Sequence, residues 1–195
     1  MFQADIGALA DGPHTIIIGA YNNKKTFNDE STELLIDDVS LTDGVPLLTA
    51  DFDADADGFA YVDDPFRGTT QPSYATGTWL SDSGYPGAAI RVDLGNTDNT
   101  QVLGMSGAWT GEFQFDEPTE VVLSFWYNLT QDGSYESDES SQVLLDVDGA
   151  FYGTFPNDYV AQITGDGDGG PPLTTGWQRF EVNLGVLVDT HVYTI

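Results

Sequence analysis

Residues 14–41, HTIIIGAYNNKKTFNDESTELLIDDVSL, decide how the rest of the chain is interpreted. Residues 16–18 are a continuous isoleucine run, which is typical of a strand that is covered on both faces. Residues 32–41 have the pattern of a second strand, and the polar segment 22–25 between them predicts a hairpin tip or a loop. The stretch therefore predicts two strands joined by a polar hairpin.

The composition favours a β-sandwich or a barrel. The chain has 195 residues with 22 glycines, 9 prolines and 12% aromatic residues, and it lacks the apolar helical periodicity of a bundle. This length suits one domain, or one domain with a short appendage. There is no cysteine, so the redox compartment stays open. Further strands are predicted at residues 45–50, 88–94, 119–129, 142–148, 158–164 and 177–184. Alternation in three of these strands predicts one inward face each, formed by Ile90, Val92, Leu94, Val121, Leu123, Phe125, Tyr127, Val143, Leu145 and Val147.

The net charge is the second strong signal. There are 32 acidic and 5 basic residues, which gives −27 at pH 7. Nucleic acid and anionic membranes are not expected partners, because both need clusters of Lys and Arg. No apolar stretch approaches the length of a membrane span. A charge this large repels itself, so divalent cations or high salt should offset it. Most of the acids are aspartates, which favours calcium loops over a merely salt-adapted surface.

The segment 53–64, DADADGFAYVDD, is the sharpest local motif. Its spacing matches a calcium loop of the EF-hand type, in which alternate carboxylates converge on one cation and a glycine permits the sharp turn. The candidate ligands are four carboxylates and one backbone carbonyl: Asp53, Asp55, Asp57, Asp64 and Phe59. Asp replaces the usual final Glu and no helix pattern flanks the loop, so an EF-hand domain is not predicted. An acidic surface turn is the alternative.

Two other features of the sequence have alternative interpretations. Residues 58–87 predict a long loop region with short strands, whose aromatic rings either stack on sugars or, as we prefer, pin the loop to the sandwich. These aromatic residues are Tyr61, Phe66, Tyr74, Trp79 and Tyr85. The acidic clusters 28–33 and 135–139, together with the only two lysines, predict ion pairs that fix loops.

The sequence of residues 2–17, FQADIGALADGPHTII, recurs at residues 180–195 as FEVNLGVLVDTHVYTI. Phe, Gly, Leu and Asp match without a gap, and His matches after a slip of one residue. Such self-similarity is a signal of repeat architecture. Two unrelated strands of similar composition are the alternative.

The ending of the opening stretch, residues 36–39 (Ile-Asp-Asp-Val), resembles the last strand of the galactose-binding-like jelly rolls found in many carbohydrate-binding modules. The motifs GFAY, FRGT, GW and YNNKKT at residues 58–61, 66–69, 176–177 and 21–26 extend the resemblance. It covers most of residues 45–195 as the main body of a jelly-roll domain, with residues 1–44 as closing strands in permuted order.

The resemblance implies an all-β, antiparallel β-sandwich that is repeated in large secreted or surface proteins of bacteria. It also implies a structural calcium between the first and the closing strand, held by Asp37 and Asp53. The permuted order leaves open whether these two carboxylates meet within one molecule.

Catalytic constellations are weak in this sequence. His14 and His191 occupy equivalent strand positions of the repeat and are interpreted as structural. There is no phosphate loop or dinucleotide fingerprint, and no carboxylate pair lies in a recognisable glycosidase motif. We therefore expect no enzyme, and a polysaccharide-active enzyme is the weakest of three alternatives.

We expect an extracellular or cell-surface structural module, stabilised by calcium and assembled into a fibre, a surface layer or an adhesin. An unpaired sheet edge is a template for another strand. The redundant terminal copy favours donation of the N-terminal strands to a neighbour, which gives a head-to-tail homopolymer, over a circular permutation that closes its own domain. The alternative function is a calcium-dependent glycan-binding module of a larger secreted protein.

Overall fold

The computed structural model describes residues 13–114, 119–167 and 169–187, and it shows an antiparallel β-sandwich. The described strands are β1 (His14–Asn22), β2 (Ser31–Thr42), β3 (Pro46–Ala50), β4 (Ala60–Asp63), β5 (Ala75–Gly84), β6 (Gly87–Gly95), β7 (Met105–Phe113), β8 (Thr119–Gln131), β9 (Ser140–Val147), β10 (Ala150–Phe151), β11 (Ala161–Thr164), β12 (Leu173–Thr174) and β13 (Gln178–Leu187). One short 3₁₀ helix, Pro72–Tyr74, precedes β5. The predicted all-β sandwich is confirmed. Within these ranges, no helix has the length and apolar character needed to cross a membrane.

Two sheets pack face to face. The first has the order β10-β9-β1-β7-β4, with β11 also paired to β9. The second has the order β12-β8-β2-β6-β5, with β13 also paired to β8 and β3 to β2. Side chains from the two inner faces form one hydrophobic core, as expected of stacked sheets.

The strands β1 and β2 lie in the interior of the two sheets. β1 pairs with β7 on one side and β9 on the other, so that Ile18 faces Trp109 and Leu145 across the ladders. β2 pairs with β8 on one side and with β6 and β3 on the other. The predicted hairpin between β1 and β2 is therefore wrong. The eight-residue connection 23–30 crosses from one sheet to the other, and Lys25 pairs instead with Val102.

β1 and β2 complete the sandwich of their own chain. β1 and β2 share one core with strands from residues 45–195, and β2 continues directly into β3 through residues 43–45, which form a tight hairpin. Donation of residues 14–41 to a neighbour would have to open this hairpin and leave both sheets without a central strand. Strand donation between copies stays a prediction.

Alternation along the strands gave the inward faces correctly. The residues predicted to face inward on β6, β8 and β9 are buried: Ile90, Val92, Leu94, Val121, Leu123, Phe125, Tyr127, Val143, Leu145 and Val147. On β1, Ile16 and Ile18 are buried in the main core, while Ile17 packs on a smaller cluster with Phe66 and Leu144. The isoleucine run is thus covered on both faces, as predicted.

Candidate functional site

Asp37 lies at an irregularity in β2. The pairing of β2 with β8 shifts between Asp37, opposite Trp126, and Ser40, opposite Ser124, which leaves one extra residue in β2. Asp38 within this bulge has a φ of 49°. Bulges commonly redirect a side chain, and here the side chain of Asp37 is buried, with 1% of the residue exposed.

The turn between β5 and β6 brings Asp37 and Asp53 together. Asp37 Oδ2 accepts a hydrogen bond from the backbone N–H of Tyr85 at 2.5 Å, and its Oδ1 accepts one from Asp38 at 2.8 Å. Asp53 Oδ1 accepts one from the backbone N–H of Ala88, at the start of β6, at 3.3 Å. The two carboxylates that the resemblance paired therefore both bond to the β5–β6 hairpin within a single molecule.

These two residues belong to a larger group, Asp37, Asp38, Asp51 and Asp53, which we call the aspartate cluster. Burial raises the pKa of Asp37 above its ordinary value. The backbone donors of Tyr85 and Asp38 oppose this rise, and the negative charges of Asp38 and Asp53 add to it. The pKa of Asp38 is also raised, by its partial burial and by the charges of Asp51 and Asp53.

Positive side chains do not compensate the aspartate cluster. No ion pair found in the described part of the chain involves any of its members. A buried carboxylate among like charges is unfavourable unless a cation or a proton neutralises it. The donor set of carboxylate oxygens suits calcium, which takes six to eight oxygen ligands in flexible geometry.

The rest of the predicted calcium loop is arranged differently from an EF-hand. Asp57 Oδ2 accepts a hydrogen bond from the Phe52 N–H at 2.7 Å, and Asp55 Oδ1 accepts one from the Asp57 N–H at 2.7 Å. The Phe59 ring is buried and packs edge-on against Phe52, with 5.7 Å between centroids. These contacts close the loop through its own side chains and pull one edge of it into the core.

Asp64 and the other loop carboxylates do not converge on one point. The backbone N–H of Asp64 donates to Ser106 on β7. Among the described residues, no three carboxylates of the loop or of the aspartate cluster offer oxygens within 4.8 Å of one another. Asp53 shares the β5–β6 hairpin with Asp37, whereas Asp55 and Asp57 bond within their own loop. Calcium ligation by these last two residues, by Asp64 and by the Phe59 carbonyl stays a prediction that this arrangement does not favour.

Lys24 forms the predicted ion pairs with the cluster 135–139, whereas Lys25 pairs with Asp98, outside both predicted clusters, at 3.7 Å. Lys24 Nζ lies 3.0 Å from Asp138 and 3.3 Å from Glu139. Lys25 is fully buried, and its Nζ donates to the carbonyl oxygens of Asp98 at 2.6 Å and Thr100 at 3.0 Å. Its ammonium lies 5.2 Å from the centre of the Tyr74 ring. Lys25 therefore acts as a fixed internal cation for the loop after β6.

Most aromatic residues of the 58–87 region pin this region to the sandwich, which is the alternative that we preferred from the sequence over stacking on sugars. The Tyr61 ring packs edge-on against Trp109, Phe66 is buried, and Trp79 Nε1 donates to the Phe52 carbonyl at 2.7 Å. The Tyr74 hydroxyl bonds to Asp98.

Tyr85 is different, because 47% of it is exposed. Its ring centroid lies 4.7 Å from that of Trp126 and 5.7 Å from that of Trp177. We call these three residues the aromatic patch. Trp126 was not identified as a surface residue from the sequence. Because Trp126 lies between the inward-facing Phe125 and Tyr127, alternation along the strand already places its side chain on the outward face.

A cavity of about 490 Å³ opens between β2, β6 and the 3₁₀ helix. Arg91 in its wall contacts Asp93 at 2.9 Å and Glu33 at 3.6 Å. Burial raises the pKa of Asp93, the charge of Arg91 lowers it, and the charge of Glu33 raises it. Arg91 contacts both carboxylates of this cavity and balances one of their two charges, whereas no ion pair of the described residues reaches the aspartate cluster.

No protein family model, curated protein or solved structure matches this chain. The resemblance to galactose-binding-like jelly rolls stays a prediction.

Proposed function

We propose that the chain is an extracellular structural module whose β-sandwich is stabilised by calcium at the aspartate cluster. The observation that carries the proposal is the buried Asp37 carboxylate, which lies among the like charges of Asp38 and Asp53. The net charge of −27 adds a general demand for cations.

Calcium at this point would tie together three separate segments. Asp37 lies on β2, Asp53 follows β3, and both accept hydrogen bonds from the hairpin that β5 and β6 form. A cation shared by Asp37 and Asp53 fixes the position of the turn relative to the central strand. Such a link suits a module that has a mechanical rather than a catalytic role.

Calorimetric titration with calcium tests the site. Asp53→Asn should remove binding at the aspartate cluster, whereas Asp55→Asn, which changes the same charge in the same exposed loop, should leave it intact. Equal calcium binding by the two variants would contradict the assignment.

The terminal repeat supports assembly of copies as a second element of this proposal. β13 occupies the place beside β8, and the N-terminal segment 2–11 carries the matching sequence. Two segments thus suit one place, which favours exchange of strands between copies. Light scattering at high protein concentration, in calcium and in chelator, measures this assembly.

The deletion used in the scattering experiment must spare the central strands. Removal of residues 1–12 should abolish assembly and keep the fold, whereas removal of residues 1–44 would also take away β1 and β2. A monodisperse monomer for the intact protein in calcium would contradict assembly.

Glycan binding is the second candidate function, and the aromatic patch favours it, with Tyr85 exposed and both tryptophans half-buried. Rings on a polar surface can stack on sugar rings, and the outward face of β8 and β13 supplies polar groups beside them, such as Arg179 bonded to Ser124. A glycan array tests this function with Trp126→Ala. Phe155→Ala is a matched control, because Phe155 is an exposed aromatic residue outside the patch, at 76% exposure. Equal signals from both variants would contradict a role for the patch.

A further inference from the structure

Three glutamates from separate parts of the chain meet where β1 passes over to β2. Glu30 immediately precedes β2, and Glu136 and Glu139 lie in the connection between β8 and β9. Each offers a carboxylate oxygen, and these oxygens lie within 4.8 Å of one another. Glu30 and Glu139 are both 0% exposed. We call these residues the glutamate triad.

The Glu30 carboxylate is held firmly but only half satisfied. Its Oε2 accepts hydrogen bonds from the backbone N–H groups of Thr26 and Phe27, the latter at 3.0 Å. Its Oε1 is buried and has no hydrogen-bond partner. A buried charged oxygen without a partner is strongly unfavourable, so this atom indicates a missing ligand.

Glu139 is oriented by the same segments. Its Oε1 accepts a hydrogen bond from the Thr26 hydroxyl at 3.0 Å, and its Oε2 accepts one from the backbone N–H of Glu136 at 3.0 Å. Glu136 Oε2 is a second buried oxygen without a hydrogen-bond partner. Outer contacts of this kind fix the direction of metal-ligating carboxylates.

The charge balance leaves room for a divalent cation. Among the ion pairs of the described ranges, Lys24 is the only cation that reaches the triad, at 3.3 Å from Glu139 and 4.0 Å from Glu136. It is shared with Asp138 at 3.0 Å. The neighbouring Lys25 also places a positive charge near Glu30, but its Nζ donates to backbone carbonyl oxygens and pairs with Asp98. Two ammonium groups cannot balance three carboxylates.

We propose that Glu30, Glu136 and Glu139 form a second divalent-cation site, suited to calcium, which fastens the β1–β2 connection to the β8–β9 connection. All three ligands are hard oxygen donors, as calcium prefers. Asp37 follows Glu30 by seven residues along β2, which is roughly 20 Å at the rise of a strand. The triad is therefore a separate site from the aspartate cluster, and either can fail without the other.

Calcium stoichiometry, measured by calorimetric titration of the intact protein, tests the proposal. Glu30→Gln should lose one bound calcium relative to the wild type. Asp29→Asn is the matched control, because it changes the same charge at the adjacent exposed position and should lose none. Asp53→Asn should lose a different calcium, so that Glu30→Gln combined with Asp53→Asn loses both. Equal stoichiometry for Glu30→Gln and Asp29→Asn overturns the proposal.

Two further variants keep the test decisive if Glu30→Gln folds poorly. Glu136 is only partly buried, and Glu136→Gln should lose the same single calcium. Lys24→Gln removes the competing ammonium and should tighten calcium binding at the triad about tenfold. The alternative is that protons and Lys24 alone neutralise the triad. In that case Lys24→Gln leaves calcium binding unchanged, and Glu30→Gln raises the free energy of unfolding equally in calcium and in chelator. Either result overturns the proposal.

Discussion

Replacement of Ile18 by alanine tests the central place of β1 in the sandwich. Ile18 is 0% exposed and lies in the main core, between β7 and β9. Its neighbour Ile17 points to the other face and packs on a small satellite cluster. The two isoleucines differ in what covers them and not in chemistry, which makes Ile17→Ala a matched control.

The expected decrease in the free energy of unfolding follows from the cavity that each variant leaves. Truncation of a fully buried isoleucine costs about 2–5 kcal/mol because a cavity is added to the lost transfer free energy, and we expect about 3–4 kcal/mol for Ile18→Ala. The partly buried Ile17 should cost about 1–2 kcal/mol on the same scale. For a domain of this size, Ile18→Ala should lower the Tm by roughly 6–16 °C.

Urea unfolding at two protein concentrations is the assay, with the midpoint as the readout and the slope as a check on the unfolded state. A strand held within its own chain gives a midpoint that is independent of protein concentration, whereas a donated strand gives one that rises with it. Equal losses for the two variants, or a loss below about 1 kcal/mol for Ile18→Ala, would refute the placement of β1.

Three other outcomes are expected. Lys25→Met should cost about 2–4 kcal/mol in urea unfolding, because the carbonyl oxygens around the buried ammonium lose a charged donor, while the exposed Arg179→Met should cost less than about 1 kcal/mol; similar losses would contradict a structural role for Lys25. In chelator, the urea midpoint should rise as the pH falls from 7 towards 4, because burial raises the pKa values of Asp93 and Asp146 above the ordinary 3.8. The contribution of each group to the free energy of unfolding is fully present below its pKa in the unfolded chain, and it is lost as the pH rises through its pKa in the folded protein. Asp146→Asn should reduce this rise of the midpoint. An unchanged pH profile for that variant would contradict a contribution from Asp146. Gly19→Ala should lower the midpoint strongly, because an added Cβ would lie 2.4 Å from Ala108 Cβ on β7; a midpoint within experimental error of wild type would contradict the β1–β7 register.

Local pattern in the sequence predicted the faces of strands but not their partners. Alternation gave the inward residues of β6, β8 and β9, because burial on one face leaves a period of two. It missed β7, whose small residues 106–108 hide the pattern. Gly107 leaves no room for a side chain because Tyr61 and Val92 fill the space beside it, and such a contact is a tertiary property.

The candidate site was predictable only where a motif existed. Asp37 and Asp53 were found through the resemblance, and the structure adds the turn that joins them. Calcium ligation by Asp55, Asp57 and Asp64 stays a prediction, because sequence spacing does not show which carboxylates close their own turns, as Asp55 and Asp57 do. The glutamate triad brings together segments about one hundred residues apart, and the burial of Glu30 has no local signal in the sequence.

Thermal unfolding in calcium and in chelator, at low ionic strength, tests the central claim most directly. A ligand that binds only the folded state stabilises it by about 2.7 kcal/mol at a hundredfold excess over its Kd. For a domain of 195 residues, this free energy corresponds to a rise in Tm of about 5–10 °C. We expect this rise for the wild-type protein and for Asp55→Asn, and a clearly smaller one for Asp53→Asn. Equal melting temperatures of the wild-type protein in calcium and in chelator would contradict calcium stabilisation of the sandwich.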